Sequence, residues 1–203
     1  MKTKADRENP RHDEVSKRWI EQPMREAAMF DDKAIIEFLR RSYFAVDGLW
    51  FIRIEDEHSF EEAIRLDEQV WEILPRIQAR KARELLKIEG GTLADLALGL
   101  WLKFAAEGYD HCVVERTTDV LRISVSECPW LSILEKAGRT SKAAEICDSI
   151  CTRDFSTWAA QFSPGINFSL ERKLSEGAPA CELLFTCSAE IQPSPSAERE
   201  AAG

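Results

Sequence analysis

Cys147 and Cys151 stand four positions apart in "AEICDSICTRD", residues 144 to 154, a stretch with helical texture. Residues so spaced on a helix carry Cβ atoms about 5–6 Å apart on one face. Two thiolates at about 2.3 Å from a tetrahedral zinc can span that gap, and iron–sulfur ligation uses the same donors, so the cofactors in view are zinc or iron. Cys128, in "CPW", and Cys181, in "EGAPACELLF", extend the set to four. A metal site of Cys128, Cys147, Cys151 and Cys181 would leave negative charge behind, which Arg139, Lys142 and Arg153 are close enough in sequence to offset. Such cations also lower thiol pKa values. The plainer reading is that cysteine packs as a small hydrophobe, which suits Cys112 and Cys187 among Val and Phe.

Other candidate chemistry is thinner. Glu55 and His58 form one E-x-x-H pair, with Glu37, Glu62 and Asp67 nearby, but a di-iron bundle needs a second such pair and the chain has only three histidines. The expected truth is an exposed helix end. His111 adjoins Cys112, yet strand neighbours point to opposite faces, so they make no catalytic dyad. The basic run Arg76, Arg80, Lys81, Arg83 and Lys87 reads as the solvated side of a helix with Ile77, Leu85 and Ile88 turned inward. Trp50, Phe51, Trp71 and Trp101 read as core, or as the apolar wall of a pocket if the helices leave one open. No Gly-rich phosphate loop, G-x-S-x-G or kinase set occurs.

The elements that must position these residues follow from period and caps. A helix is expected from Asp31 or Asp32 to about Asp47-Gly48, with "LWFIRIEDE" after it read as helix too. Ser59 with Glu62 signals the next, its face carrying Phe60, Ala63, Ile64, Val70, Trp71 and Leu74, with Pro75 closing it or opening another over residues 76–88 that Gly90-Gly91 stops. Thr92 caps the apolar run "LADLALGLWLKFAA", which Gly108 ends. "HCVVERT" and "VLRISVSEC" then alternate as a hairpin; helices follow at roughly 130–137 and 139–152, with another near Trp158; "GINFSLERKL" and "ACELLFTCSA" make a second hairpin. The fold class is α+β: N-terminal helices on a four-stranded antiparallel sheet, with a helix pair inserted between two hairpins. Residues 1–30 read as a flexible polar arm, 31–191 as one domain (helical to 107, cysteine-bearing from 108), and 192–203 as a disordered tail.

The bulk properties set limits. A chain of 203 residues suits one well-buried core. With 27 basic against 36 acidic residues, its net charge of −9 argues against nucleic acid as partner. The longest apolar run is interrupted by Asp95 and Lys103 and is too short to cross a bilayer, so no membrane partner is expected. The N-terminus has no apolar signal region, so the protein is expected in the cytoplasm, where its six cysteines would stay reduced or bind metal. Self-association into a homo-oligomer is compatible with this composition.

"DGLWF" at 47–51, "IRLDEQVWE" at 64–72, "CPW" at 128–130, "ICDSIC" at 146–151 and "GAPAC" at 177–181 resemble a family of uncharacterised bacterial cytosolic proteins. That family is similar in turn to L-2-amino-thiazoline-4-carboxylic acid hydrolases and, more distantly, to vinyl-reductase-type domains that bind small molecules. The likeness spans about residues 45 to 187. The vinyl-reductase-type resemblance implies an α+β ligand-binding fold with cysteines near a pocket, and carries over Cys128, Cys147, Cys151 and Cys181. The hydrolase resemblance implies opening of a sulfur heterocycle, with no catalytic set matched residue by residue. The expected function is small-molecule or metal binding through the four cysteines; the rival is hydrolysis of a small sulfur-containing heterocycle.

Overall fold

The computed structural model describes residues 30–109 and 112–187. The N-terminal arm, the C-terminal tail and His111 of the sequence reading lie outside the described residues. The chain divides into two compact units, Met1–Tyr43 and Phe44–Gly203.

In the first unit, the described part is the opening of helix α1 (Asp32–Glu57), where Asp31 Oδ1 accepts from the amide of Ala34. Its Ile35, Ile36, Phe38 and Leu39 are exposed.

The second unit holds the rest of α1, then α2 (Phe60–Leu86), α3 (Leu93–Glu107), β1 (Cys112–Arg116), β2 (Val120–Val125), α4 (Pro129–Lys136), α5 (Thr140–Phe162), β3 (Ile166–Arg172), a 3-10 turn (Leu174–Glu176) and β4 (Cys181–Cys187). The α+β class and the two hairpins are as the sequence implies, and all strands pair antiparallel in the order β1-β2-β4-β3. Alternation decides the faces of this sheet. Leu121, Ile123, Val125, Leu183 and Phe185 are buried against Leu96, Leu100 and Phe104 of α3 and Phe155, Trp158 and Phe162 of α5. The opposite face is polar: Arg122 pairs with Glu171 at 2.8 Å, and the Ser124 hydroxyl donates to Glu182.

Four boundaries differ from expectation. Helix α1 does not stop at Asp47-Gly48 but continues to Glu57, since Gly48 stays helical in open space. Helix α2 passes through Pro75, which is buried on the spine Trp71, Pro75, Ala79, Ala82 that faces the core. That spine leaves Ile77 and Leu85 exposed, against the inward placement expected for them, while Ile88 is buried. The same helix ends at Lys87, which takes a left-handed conformation (φ 55°), rather than at Gly90-Gly91. Gly91 answers to packing instead: a Cβ there would sit 2.3 Å from the carbonyl oxygen of Phe162. Finally, α5 runs unbroken to Phe162, so Trp158 belongs to it rather than to a separate helix.

The expected caps hold elsewhere. The Ser59 side chain accepts from the amide of Glu62, and Thr92 and Asp95 form a reciprocal capping box at α3, which Gly108 ends at φ 80°.

Candidate functional site

Helices α1, α2, α4 and α5 enclose a largely apolar cavity of about 140 Å3. Helix α1 supplies Phe44, Asp47, Phe51 and Ile52; α2 supplies Asp67 and Trp71; α4 supplies Trp130, Ile133 and Leu134. Helix α5 lays Ile146, Cys147, Ile150, Cys151, Asp154 and Phe155 along the wall at spacings of three and four, and Tyr109 closes one side. Aromatic edges set its shape. Phe44 and Trp130 meet at 4.3 Å between centroids, Trp71 and Trp130 at 5.4 Å, both edge to face. Of the aromatic set singled out in the sequence, Phe51 and Trp71 line this cavity, whereas Trp50 and Trp101 are exposed.

The two helix thiols face this space, and they differ. Cys147 is held below the usual thiol range, first by the hydrogen bond from Cys151 and further by the Ser175 hydroxyl and the charge of Lys173. Cys151 keeps its proton, because it donates that bond and desolvation disfavours its thiolate. One turn of helix has thus made a thiolate-prone sulfur beside a thiol donor.

Cys128 and Cys181 lie within electrostatic reach of Cys147 but off the cavity wall. Cys128 ends the β2–α4 loop as the N-cap of α4, its Sγ 3.8 Å from the Tyr109 hydroxyl, and burial pushes its thiol up to about 11. Cys181 opens β4 opposite Val125, and its Sγ accepts the amide of Leu174 at 3.3 Å; burial raises it as well. The structure therefore gathers all four sulfurs into one neighbourhood. Among the described residues, however, no group of three or more His, Cys, Asp or Glu side chains is arranged to hold a metal ion. Cys112 and Cys187 sit in the sheet, packed against the main core.

Carboxyls are the feature that sequence reasoning missed. Burial pushes Asp47 up to about 6 and Asp67 to about 7, the latter also through the charge of Asp47. The Trp71 indole lies alongside both and favours their ionised forms, yet its N–H completes no hydrogen bond. Behind Trp71 and Trp130 lies a buried ionic group: Lys103 Nζ is 2.6 Å from Glu107 Oε1 and 3.0 Å from Asp154 Oδ2, and Trp130 Nε1 donates to Glu107 Oε2 at 3.1 Å. Asp154 Oδ1 is buried without a partner. The signal was present in the sequence as Lys103, a charge inside the most apolar run.

The remaining candidates fall outside this site. Glu55 pairs with Arg139, and His58 is exposed just past the end of α1, as expected of a helix end. Arg76, Arg80, Lys81 and Lys87 are exposed along α2, Arg76 bonded to Glu72 and Lys81 to Glu84. Among the described residues no helix is long and apolar enough to cross a membrane.

Comparison with known proteins gives three findings. A model of a family of unknown function (DUF6125) matches residues 27–174. No curated protein matches the sequence. The fold is similar to the crystal structure of a trafficking protein particle complex subunit 3 from Naegleria fowleri covalently bound to palmitic acid, with a TM-score of 0.52 at 11% identity, over 80% of this chain and 100% of that one.

Proposed function

We propose that this chain, which belongs to that family of unknown function (DUF6125), binds a small, largely apolar molecule bearing a hydrocarbon chain in the cavity between α1, α2, α4 and α5. The observation that carries the reading is the cavity itself, walled by aromatic and aliphatic side chains with a few polar groups at fixed places. The palmitic acid of the similarly folded trafficking subunit supports a chain-like ligand. In this reading the protein works in the cytosol, where its thiols stay reduced.

Cys147 gives the reading a covalent form. Its thiolate faces the cavity and could attack the carbonyl carbon of an acyl thioester: the new S–C bond forms, the old one breaks, and the donor leaves as its own thiolate. Among the described residues no histidine lines the cavity.

The test is mass spectrometry of the purified protein, native and denatured, before and after incubation with a long-chain acyl thioester. A co-purifying apolar molecule, or acylation lost in Cys147→Ser, supports the reading; an empty protein that takes up no chain-bearing compound overturns it. Elemental analysis of protein purified without oxygen tests the zinc or iron reading of the same four thiols, one equivalent of metal being the result that favours it. Turnover of a sulfur heterocycle would favour the hydrolase.

A further inference from the structure

One end of the cavity carries the wrong charge for a fatty acid. Asp47 from α1 and Asp67 from α2 line it beside Phe44, Trp71 and Trp130. Just behind that wall, Glu107 and Asp154 share the single ammonium of Lys103. Among the described residues, four carboxyls thus stand against one cation in a region where water is scarce. Arg139 also lines the cavity, but its guanidinium is engaged by Glu55 and lies over the Phe51 ring.

One buried polar atom marks the place as built to receive something. Asp154 Oδ1, on a side chain only 8% exposed, has no partner, and Asp154 lines the cavity. The Trp71 indole, on a residue 2% exposed, lies beside Asp47 and Asp67 and favours their charged forms. Buried polar atoms are rarely left unsatisfied unless a ligand or ion completes them.

We propose that this end of the cavity receives a positively charged ammonium head, so that the ligand is a single-chain alkylammonium amphiphile. The carboxyls of Asp47 and Asp67 supply the charge, and the rings of Phe44 and Trp130 that line this end supply cation–π contacts of the kind by which aromatic walls recognise alkylated ammonium groups, the Trp71 ring already lying under the Lys103 ammonium at 5.6 Å. The hydrocarbon chain then runs along Ile146 and Ile150 of α5. A free carboxylate is the poorest head for this end, which gives a charge reason for an acyl chain here to be held as a neutral thioester. The proposal rests on the cavity being a binding site.

The experiment is calorimetric titration of the full chain with decyltrimethylammonium, decanol and decanoate, each below its micelle-forming concentration. The cation is expected to bind about tenfold more tightly than decanol, and decanoate more weakly than both. In the double variant Asp47→Asn with Asp67→Asn that advantage should fall about tenfold while decanol binding is kept, which also shows that the variant is folded. Decanol or decanoate binding as well as the cation, or an advantage indifferent to the double variant, would sink the head-group proposal and leave the cavity reading standing. Failure of all three compounds to bind would remove both.

Discussion

Lys103 of α3 and Asp154 of α5 meet at 3.0 Å with side chains 2% and 8% exposed, a charged bond between two helices of the core. Lys103 also bonds Glu107, so its loss leaves two buried carboxyls without their cation. Lys103→Ala is therefore expected to destabilise the chain by about 3–5 kcal/mol, read from the shift of the urea midpoint. A loss under about 1 kcal/mol would show that water reaches the pair.

Asp67 supplies a pH signature. Burial raises its pKa from 3.8 to about 7, so in that window the folded chain holds a proton that the unfolded chain releases. Its contribution favours folding below the unfolded value and is lost as pH rises to about 7. Asp67→Asn should raise stability by about 1–2 kcal/mol near pH ~8, a gain that fades toward pH ~4. Parallel unfolding curves for the two proteins at each pH are the measurement; a gain that grows on acidification would contradict the assignment.

Thiol reactivity should follow the same electrostatics. At neutral pH Cys147 is expected to alkylate first among the four neighbouring sulfurs, with Cys128 and Cys151 far slower because they keep their protons. Peptide mapping after a short iodoacetamide pulse reads the order. In Cys151→Ala, Cys147 should slow, since its hydrogen-bond donor is gone.

Lys87 holds a left-handed backbone at φ 55° as the C-cap of α2, a conformation costly to residues with a Cβ. Lys87→Gly should stabilise the chain by about 0.5–1 kcal/mol, visible as a higher melting temperature.

Much of this architecture was legible because caps and alternation are local signals. Ser59 and Thr92 set helix starts as read, and the strand runs paired as read. Helix ends were harder. Gly48 and Pro75 look like breaks, yet α1 runs through the first in open space and α2 carries the second on its buried spine. The thiol pair was legible for the same local reason, since four residues make one turn. Asp47 was read as a helix end and Asp67 only as a carboxyl near a di-iron half-signature that was set aside, because periodicity reports which face a residue occupies and not whether a carboxyl on it meets water. The ionic group behind the cavity joins residues 103 and 154, a pairing that only the packing of α3 on α5 creates.

The order β1-β2-β4-β3 also bears on how the chain is made. The partner of β2 on its inner side is β4, with Ser124 and Glu182 lying 58 residues apart in sequence. As the polypeptide leaves a ribosome, the first hairpin emerges with one row of amides and carbonyls open, and it stays so until α4, α5 and β3 have followed. During that interval the alternating apolar side of β2 has no layer to close against from its own sheet neighbour. Synthesis pauses between α5 and β4 should therefore raise aggregation of nascent chains, whereas pauses after β4 should not.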